Sequence, residues 1–90
     1  MKYIISWSLP QATHKEAISH FLQTGGLPPA GVKLIGRWHG MSGAGFAVVE
    51  TTDAKALYAW LTEWSEFLPV ATTPCLEDAD AGAVFQSLKG

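Results

Sequence analysis

The segment that decides the fold is residues 32–51, with the sequence VKLIGRWHGMSGAGFAVVET. The hydrophobic pattern predicts a strand over residues 32–40 and another over residues 45–51. The stretch between them is rich in glycine and predicts a hairpin loop longer than a two-residue turn. The segment therefore predicts two consecutive antiparallel strands.

A strand and a helix are predicted on each side of this hairpin. Before it, residues 2–8 alternate like a strand and residues 13–24 carry an apolar stripe at helical spacing. After it, the helical pattern covers residues 53–68 and a strand pattern covers residues 70–77. This order predicts an α+β, ferredoxin-like βαββαβ sandwich. Its four-stranded antiparallel sheet has the order 4-1-3-2, with two helices on one face. Because the fold hosts many unrelated activities, it leaves the activity open.

Local signals define the ends of the helices. Thr13 and Glu16 form the pattern of a capping box at the first helix. Asp53 is a favourable N-cap for the second helix, and Pro69 ends it. The apolar stripe of that helix predicts its main core residues, which are Leu57, Trp60, Leu61, Trp64 and Leu68. Residues 78–90 predict a short C-terminal helix, with a frayed tail as the alternative.

Composition predicts one domain that is covered by a second subunit. The chain has 90 residues, which corresponds to a single small domain. Hydrophobic residues make up 48% and charged residues only 16%, against about 25% charged in typical soluble domains. Four Trp, four Phe and two Tyr are more aromatic surface than one thin sandwich hides easily. The excess predicts a homodimer through the sheet face.

Charge and hydropathy exclude two classes of partner. The net charge is −2 and there is no basic run, so nucleic-acid binding is not expected. No apolar run approaches the roughly 20 residues that span a bilayer, so no membrane partner is expected. The single Cys75 fits a reducing compartment, and the N-terminal residues are too polar for a signal peptide. The sequence therefore predicts a cytoplasmic protein.

The strand over residues 32–40 carries the best candidate chemistry. Simple alternation places Lys33, Ile35, Arg37 and His39 on one face and Val32, Leu34, Gly36 and Trp38 on the other. Because the first two strands run parallel in this fold, His39 is expected at the same rim of the sheet as Trp7. An imidazole beside an aromatic wall, with a guanidinium group nearby, suits a small anionic or aromatic molecule.

The candidate ligand site consists of Trp7, Arg37, His39, Met41 and Gly43, at the rim of the sheet next to the hairpin loop. The glycines of this loop would let the backbone approach a ligand. The alternative is structural: Arg37 and His39 would form hydrogen bonds with the partner subunit or with the hairpin loop.

The remaining polar residues predict no further site. His14 and His20 are six residues apart on one helix and cannot form the i, i+4 pair that a metal ion would use. Glu50 is expected to form a salt bridge with Lys2 or Lys33 at the opposite rim of the sheet. The sequence therefore predicts neither a metal site nor a cofactor.

Several segments together resemble a known family. They are residues 2–8 (KYIISWS), 31–39 (GVKLIGRWH) and 45–50 (GFAVVE), with the helix that carries Trp60 and Trp64. As a set they are similar to a family of small bacterial proteins classed as a domain of unknown function. The resemblance covers residues 1–77 and implies a ferredoxin-like fold of the dimeric α+β barrel type, in which two sheets face each other. It implies no established activity.

No catalytic signature stands in the sequence, so whether the protein is an enzyme stays open. The favoured hypothesis is a small dimeric protein that binds a small molecule in or near the barrel. The first alternative is a cofactor-independent or haem-degrading monooxygenase-like enzyme with His39 as proton donor or ligand, since relatives of the barrel type include such enzymes. The second alternative is a purely structural interaction module. A cavity with inward-facing polar residues favours the first two hypotheses, and a barrel filled by aromatic side chains favours the third.

Overall fold

The computed structural model of the protein describes residues 1–89 and confirms the predicted order of elements. The elements are β1 (Lys2–Ser8), α1 (His14–Thr24), β2 (Val32–His39), β3 (Ala44–Thr51), α2 (Ala54–Ser65), β4 (Val70–Cys75) and α3 (Asp78–Lys89). A short 3-10 turn over Gln11–Thr13 leads into α1. The first six of these elements form the βαββαβ arrangement, and α3 is added at the C-terminus.

The four strands form one antiparallel sheet with the order β2-β3-β1-β4, as predicted. In the centre of the sheet, Ile5 on β1 lies opposite Ala47 on β3. At one rim, Trp7 lies opposite both Gly45 on β3 and Val70 on β4. This rim is also where β2 ends, because His39 is paired with Gly45.

The core lies between the helices α1 and α2 and one face of the sheet. Its buried cluster consists of Ile5, Val32, Ala47, Val49, Leu57 and Trp60. Leu57 and Trp60 come from α2, with Leu61 and Trp64 packed at the margin, so α2 is the main core helix, as predicted. This helix ends at Ser65, three residues earlier than expected. Leu68 is buried all the same, because its N–H bonds back to the carbonyl of Trp64.

The two helix starts differ in how they are capped. Asp53 accepts a hydrogen bond from the backbone N–H of Ala56 at 3.0 Å, which confirms the predicted N-cap of α2. The capping box predicted for α1 is wrong, since Thr13 caps no backbone group. Its hydroxyl instead donates to the carbonyl oxygen of Phe67. The start of α1 is thereby tied to the segment that follows α2.

A β-bulge in β2 changes which residues face the helices. Leu34 is paired with Val49, whereas Gly36 is paired with Val48, so Ile35 is one residue more than β3 can match. Paired residues share a face of the sheet, and a single extra residue reverses the alternation from that point onward.

The prediction from simple alternation is therefore wrong for half of β2. Val32 and Leu34 face the helices before the bulge, and Arg37 and His39 face them after it. Trp38 lies on the opposite face of the sheet, paired with Phe46.

The sheet face away from α1 and α2, here named the open face, carries exposed apolar side chains. Ile4 on β1, Phe46 on β3 and Trp38 on β2 are all exposed on it, beside the half-buried Val48. No described element covers these residues. The open face is thus a contiguous apolar surface across three strands.

The C-terminal helix α3 projects from the rest of the protein. It contains no buried residue, and its apolar side chains Val84, Phe85 and Leu88 are exposed. The radius of gyration is 15.3 Å, against about 12 Å for a compact chain of this length. None of the helices found in residues 1–89 is long and apolar enough to cross a membrane.

An ion pair fixes the residue that precedes α3. Nζ of Lys2 lies 3.0 Å from Oε2 of Glu77, and this hydrogen bond raises the pKa of Lys2. The salt bridge predicted between Lys2 and Glu50 is therefore replaced by one with Glu77. Glu50 remains opposite Lys2 and Lys33 in the strand register and adds a weaker electrostatic contribution to the raised pKa of Lys2.

Candidate functional site

An apolar cavity of about 270 Å³ lies between the two core helices and the sheet. Its floor includes Ile5 and Ala47 from the sheet, and its helix side includes Ala17, Trp60 and Leu61. Almost all of the lining is hydrophobic, so water inside it has few hydrogen-bond partners.

Small side chains at central positions leave this space open. Ala17 of α1 and Ala47 of β3 are both fully buried. Each occupies a core position where a leucine or isoleucine would extend several ångströms further. The large rings of Trp7 and Trp64 also line the cavity.

The mouth of the cavity is formed by Trp7, Phe21 and His39. Trp7 lies across Gly45, where a Cβ atom would overlap its indole ring. The ring of His39 meets Trp7 edge-on with centroids 5.8 Å apart and meets Phe21 in the same way at 5.6 Å. His39 lines the cavity and is also exposed to solvent. The cavity is therefore open at this rim of the sheet.

Arg37 lines the same cavity and is held by the end of α1. Its Nη1 donates to the carbonyl oxygen of Gly26 at 2.6 Å, and its Nη2 donates to that of Gly25 at 3.2 Å. The guanidinium carbon lies 4.8 Å from the ring centroid of Phe21. Partial burial lowers the pKa of Arg37. A cation at a helix C-terminus is favourable, since the helix dipole places partial negative charge there.

The five residues predicted for the ligand site fall into two groups. Trp7, Arg37 and His39 line one cavity, whereas Met41 and Gly43 do not line it. Met41 is fully exposed at the tip of the hairpin loop. Gly43 adopts a left-handed φ of 89°, and its carbonyl accepts a hydrogen bond from Leu9, which does line the cavity. The loop thus supports the cavity from outside.

The hydrogen bonds of Arg37 differ from both sequence-based alternatives. It bonds to the end of α1, a partner that was named neither in the ligand-binding hypothesis nor in the structural one. Within residues 1–89, the imidazole of His39 makes aromatic contacts and no hydrogen bond. Its ring nitrogens therefore remain able to bind a ligand.

The helix-side wall of the cavity was missed by sequence reasoning. Ala17 and Phe21 fall within the apolar stripe predicted for residues 13–24, and Trp60 was predicted as a core residue, so none of the three was assigned to a site. The available signal was a small residue, Ala17, within an apolar stripe of large side chains. Trp60 also has a buried Nε1 without a hydrogen-bond partner in the described part of the chain. An unpaired buried donor costs about 1–3 kcal/mol.

The other histidines do not contribute to the cavity. Nε2 of His20 lies 2.6 Å from Oε2 of Glu63, which joins α1 to α2, and its ring packs against Trp64 and Phe67. His14 is exposed. Over residues 1–89, no three His, Cys, Asp or Glu side chains are grouped so that they could hold a metal ion.

These features define a class: a small ferredoxin-like α+β domain with an apolar cavity under its helices and an unpartnered sheet face. The model of a family described as a domain of unknown function, DUF3303, matches residues 1–89. The chain belongs to this family, which confirms the resemblance seen in its sequence. Comparison with curated proteins and with solved structures gives no match.

Proposed function

We propose that this protein binds a small aromatic molecule in the cavity between its helices and its sheet. The observation that carries the proposal is the apolar cavity of about 270 Å³ that opens beside Trp7 and His39. Small-molecule sites are typically concave and apolar, with a few polar groups that orient the ligand. This cavity has that arrangement, with His39 as the polar group at its mouth.

Energetics favour a filled cavity. The cavity is open to water beside His39, and its apolar lining offers that water few hydrogen-bond partners. A ligand that covers this lining gains about 25 cal/mol per Å² of apolar surface. Displacement of poorly ordered water adds to the gain.

The polar residues at the mouth of the cavity determine where the polar end of the ligand lies. His39 has unbonded ring nitrogens within the described residues and stands at the solvent-exposed rim. Arg37 uses two of its N–H groups on Gly25 and Gly26 and keeps others. A carboxylate or phenolate at the mouth, with its ring inserted toward Ala17, fits this distribution of charge and apolar surface.

The same proposal includes a homodimer through the open face. Ile4, Trp38 and Phe46 expose apolar surface there, and contiguous patches of this kind mark interaction sites. The cavity lies on the other side of the sheet, so a dimer formed in this way leaves the mouth accessible. The interaction-module hypothesis uses only this face, and the cavity is the reason to favour ligand binding over it. The monooxygenase-like hypothesis placed its reaction inside the barrel between two facing sheets, whereas His39 lies on the helix side of the sheet. That hypothesis would therefore have to use the cavity under the helices, and it differs from ligand binding by predicting turnover.

NMR titration with matched aromatic probes tests the binding site. Benzoate and 2-naphthoate, added to ¹⁵N-labelled protein, are expected to shift the indole signals of Trp7 and Trp64. Ala17→Leu fills the cavity and should abolish these shifts. Ala59→Leu, on the exposed side of α2, is the control and should bind like the wild type. Equal binding by Ala17→Leu, or shifts confined to surface residues such as Tyr58, would contradict the proposal.

A further inference from the structure

The helix α3 has an apolar stripe that its own chain does not cover. Ala81, Val84, Phe85 and Leu88 follow the spacing i, i+3, i+4 and i+7, which places them on one side of the helix. The three larger side chains are exposed. Helices shorter than about 12–15 residues are marginal in water without tertiary packing, and α3 has 12. A packing surface is therefore required for α3 to be stable.

The start of α3 is fixed at the edge of the sheet. Glu77 pairs with Lys2 of β1, and the carbonyl of Glu77 accepts the N–H of Ala81 in the first turn. From this anchor the helix runs away from the body, which gives the protein its extents of 53 × 29 × 17 Å. A helix that is anchored at the sheet edge and does not pack on its own chain is suited to contact a neighbouring molecule.

The surface area available points to a second copy of this chain as the occupant. Exposed fractions of 41–79% correspond to roughly 100 Å² per side chain for large apolar residues. The three on the open face then provide about 300 Å², well below the roughly 800 Å² per partner of a standard interface. Adding the arm and the residue at its base brings the total to about 700 Å². The residues summed are Ile4, Trp38, Phe46, Leu76, Val84, Phe85 and Leu88.

Charge neither drives nor opposes this contact. The first turn of α3 carries Asp78 and Asp80. On the open face the exposed Lys33 is balanced by Glu50, which lies across the register from it. With a net charge of only −2, two copies repel each other little.

We infer that α3 is an exchanged arm, whose apolar stripe packs on the open face of a second copy while the partner's arm packs reciprocally. The arrangement is isologous, because a two-fold axis relates the two chains. The α3 stripe of each chain then covers the open face of the other. This inference rests on the proposed homodimer and adds the element that completes its interface.

Sedimentation equilibrium on the full chain tests the role of the arm. Phe85→Asp should raise the dimer dissociation constant at least about tenfold, since a buried aromatic anchor is lost. Gln86→Asp, one residue along the helix and outside the stripe, introduces the same charge and should leave the dimer intact. Phe85 is exposed within its own chain, so circular dichroism should show both variants folded.

Isotope-filtered NOE spectra of a mixed labelled and unlabelled sample locate the arm. Contacts from Phe85 and Leu88 of one chain to Trp38 and Phe46 of the other are expected. If contacts are seen only between open faces and Phe85→Asp leaves the dimer intact, the exchanged arm is overturned and the homodimer stands. A wild-type mass near 9.7 kDa would overturn both. Probe binding to the cavity, measured on the same samples, is independent of either outcome.

Discussion

Arg37 and Gly26 are joined by a hydrogen bond of 2.6 Å from Nη1 to the carbonyl oxygen, which ties β2 to the end of α1. The bond fixes the strand two residues before His39, at the mouth of the cavity. The same guanidinium group covers one face of Phe21, which also lines the cavity. One side chain therefore holds a strand, a helix end and a wall of the candidate site together.

Replacement of Arg37 by lysine should destabilise the protein by about 1–3 kcal/mol, since a point-like ammonium cannot donate to both carbonyls and stack on Phe21. Urea unfolding followed by tryptophan fluorescence measures the loss. The control is Lys55→Ala, at an exposed position on α2, which is expected to change the free energy of unfolding by less than about 0.5 kcal/mol. Equal stability of Arg37→Lys and the wild type would show that the link to α1 is dispensable.

Alanine substitutions at two glycines of the sheet should lower the free energy of unfolding by unequal amounts. At Gly45 a new Cβ would overlap the Trp7 ring and lie 2.9 Å from the Trp38 carbonyl oxygen, so packed side chain and backbone would both have to move. At Gly36 the three atoms nearest to the new Cβ all belong to the Trp38 ring, the first at 2.6 Å, and this ring is exposed within its own chain and can turn away. We expect Gly45→Ala to cost at least about 2 kcal/mol more than Gly36→Ala in thermal or urea unfolding. A smaller difference would mean that Trp7 is not held in place.

The helical phase of α2 predicts a sharp contrast between two of its positions. Leu57 is buried in the core cluster, so Leu57→Ala should cost about 2–5 kcal/mol. Thr62 is exposed, and Thr62→Ala should cost less than about 0.5 kcal/mol. Similar urea midpoints for the two variants would mean that a different face of α2 packs against the sheet.

The stabilisation provided by the Lys2–Glu77 ion pair, which anchors α3, should be lost at high pH. The pKa of Lys2 is raised in the folded protein, so its contribution is complete below the ordinary lysine value of 10.5 and disappears as pH rises through the folded pKa. Lys2→Met should therefore unfold more easily than the wild type at pH 7 and approach it above pH 10.5. Urea midpoints across this range measure the difference. Lys55→Met, at an exposed position on α2, is the control. A gap between wild type and Lys2→Met that persists unchanged at high pH would contradict the assignment.

The fold could be predicted because periodicity determines it. The strand-like hydrophobic patterns of β1 and β3 and the stripe of Leu57 and Trp60 in α2 each predict the type of element, and the order of the elements predicts the fold. The bulge at Ile35 could not be predicted in this way, since an unmatched residue exists only relative to the strand that pairs with it. The faces assigned to Arg37 and Trp38 were wrong for that reason.

The residues at the rim of the candidate site could be predicted from the sequence, whereas the cavity behind them could not. Trp7 and His39 were placed together by strand direction, a property of topology alone. The cavity itself is volume that Ala17 and Ala47 do not fill, and unfilled volume depends on how helices sit on the sheet. The capping preference of Thr13 was likewise overridden by a distant carbonyl, that of Phe67.

The bulge at Ile35 makes the two surfaces of this protein depend on a count of residues as well as on their chemistry. Without the bulge, the register that pairs Leu34 with Val49 would continue along β2 and would pair Trp38 with Gly45 in place of Phe46. Trp38 would then face the helices, while Arg37 and His39 would face the open side of the sheet. One unmatched residue thus decides whether a tryptophan or an arginine and a histidine lie on the cavity side.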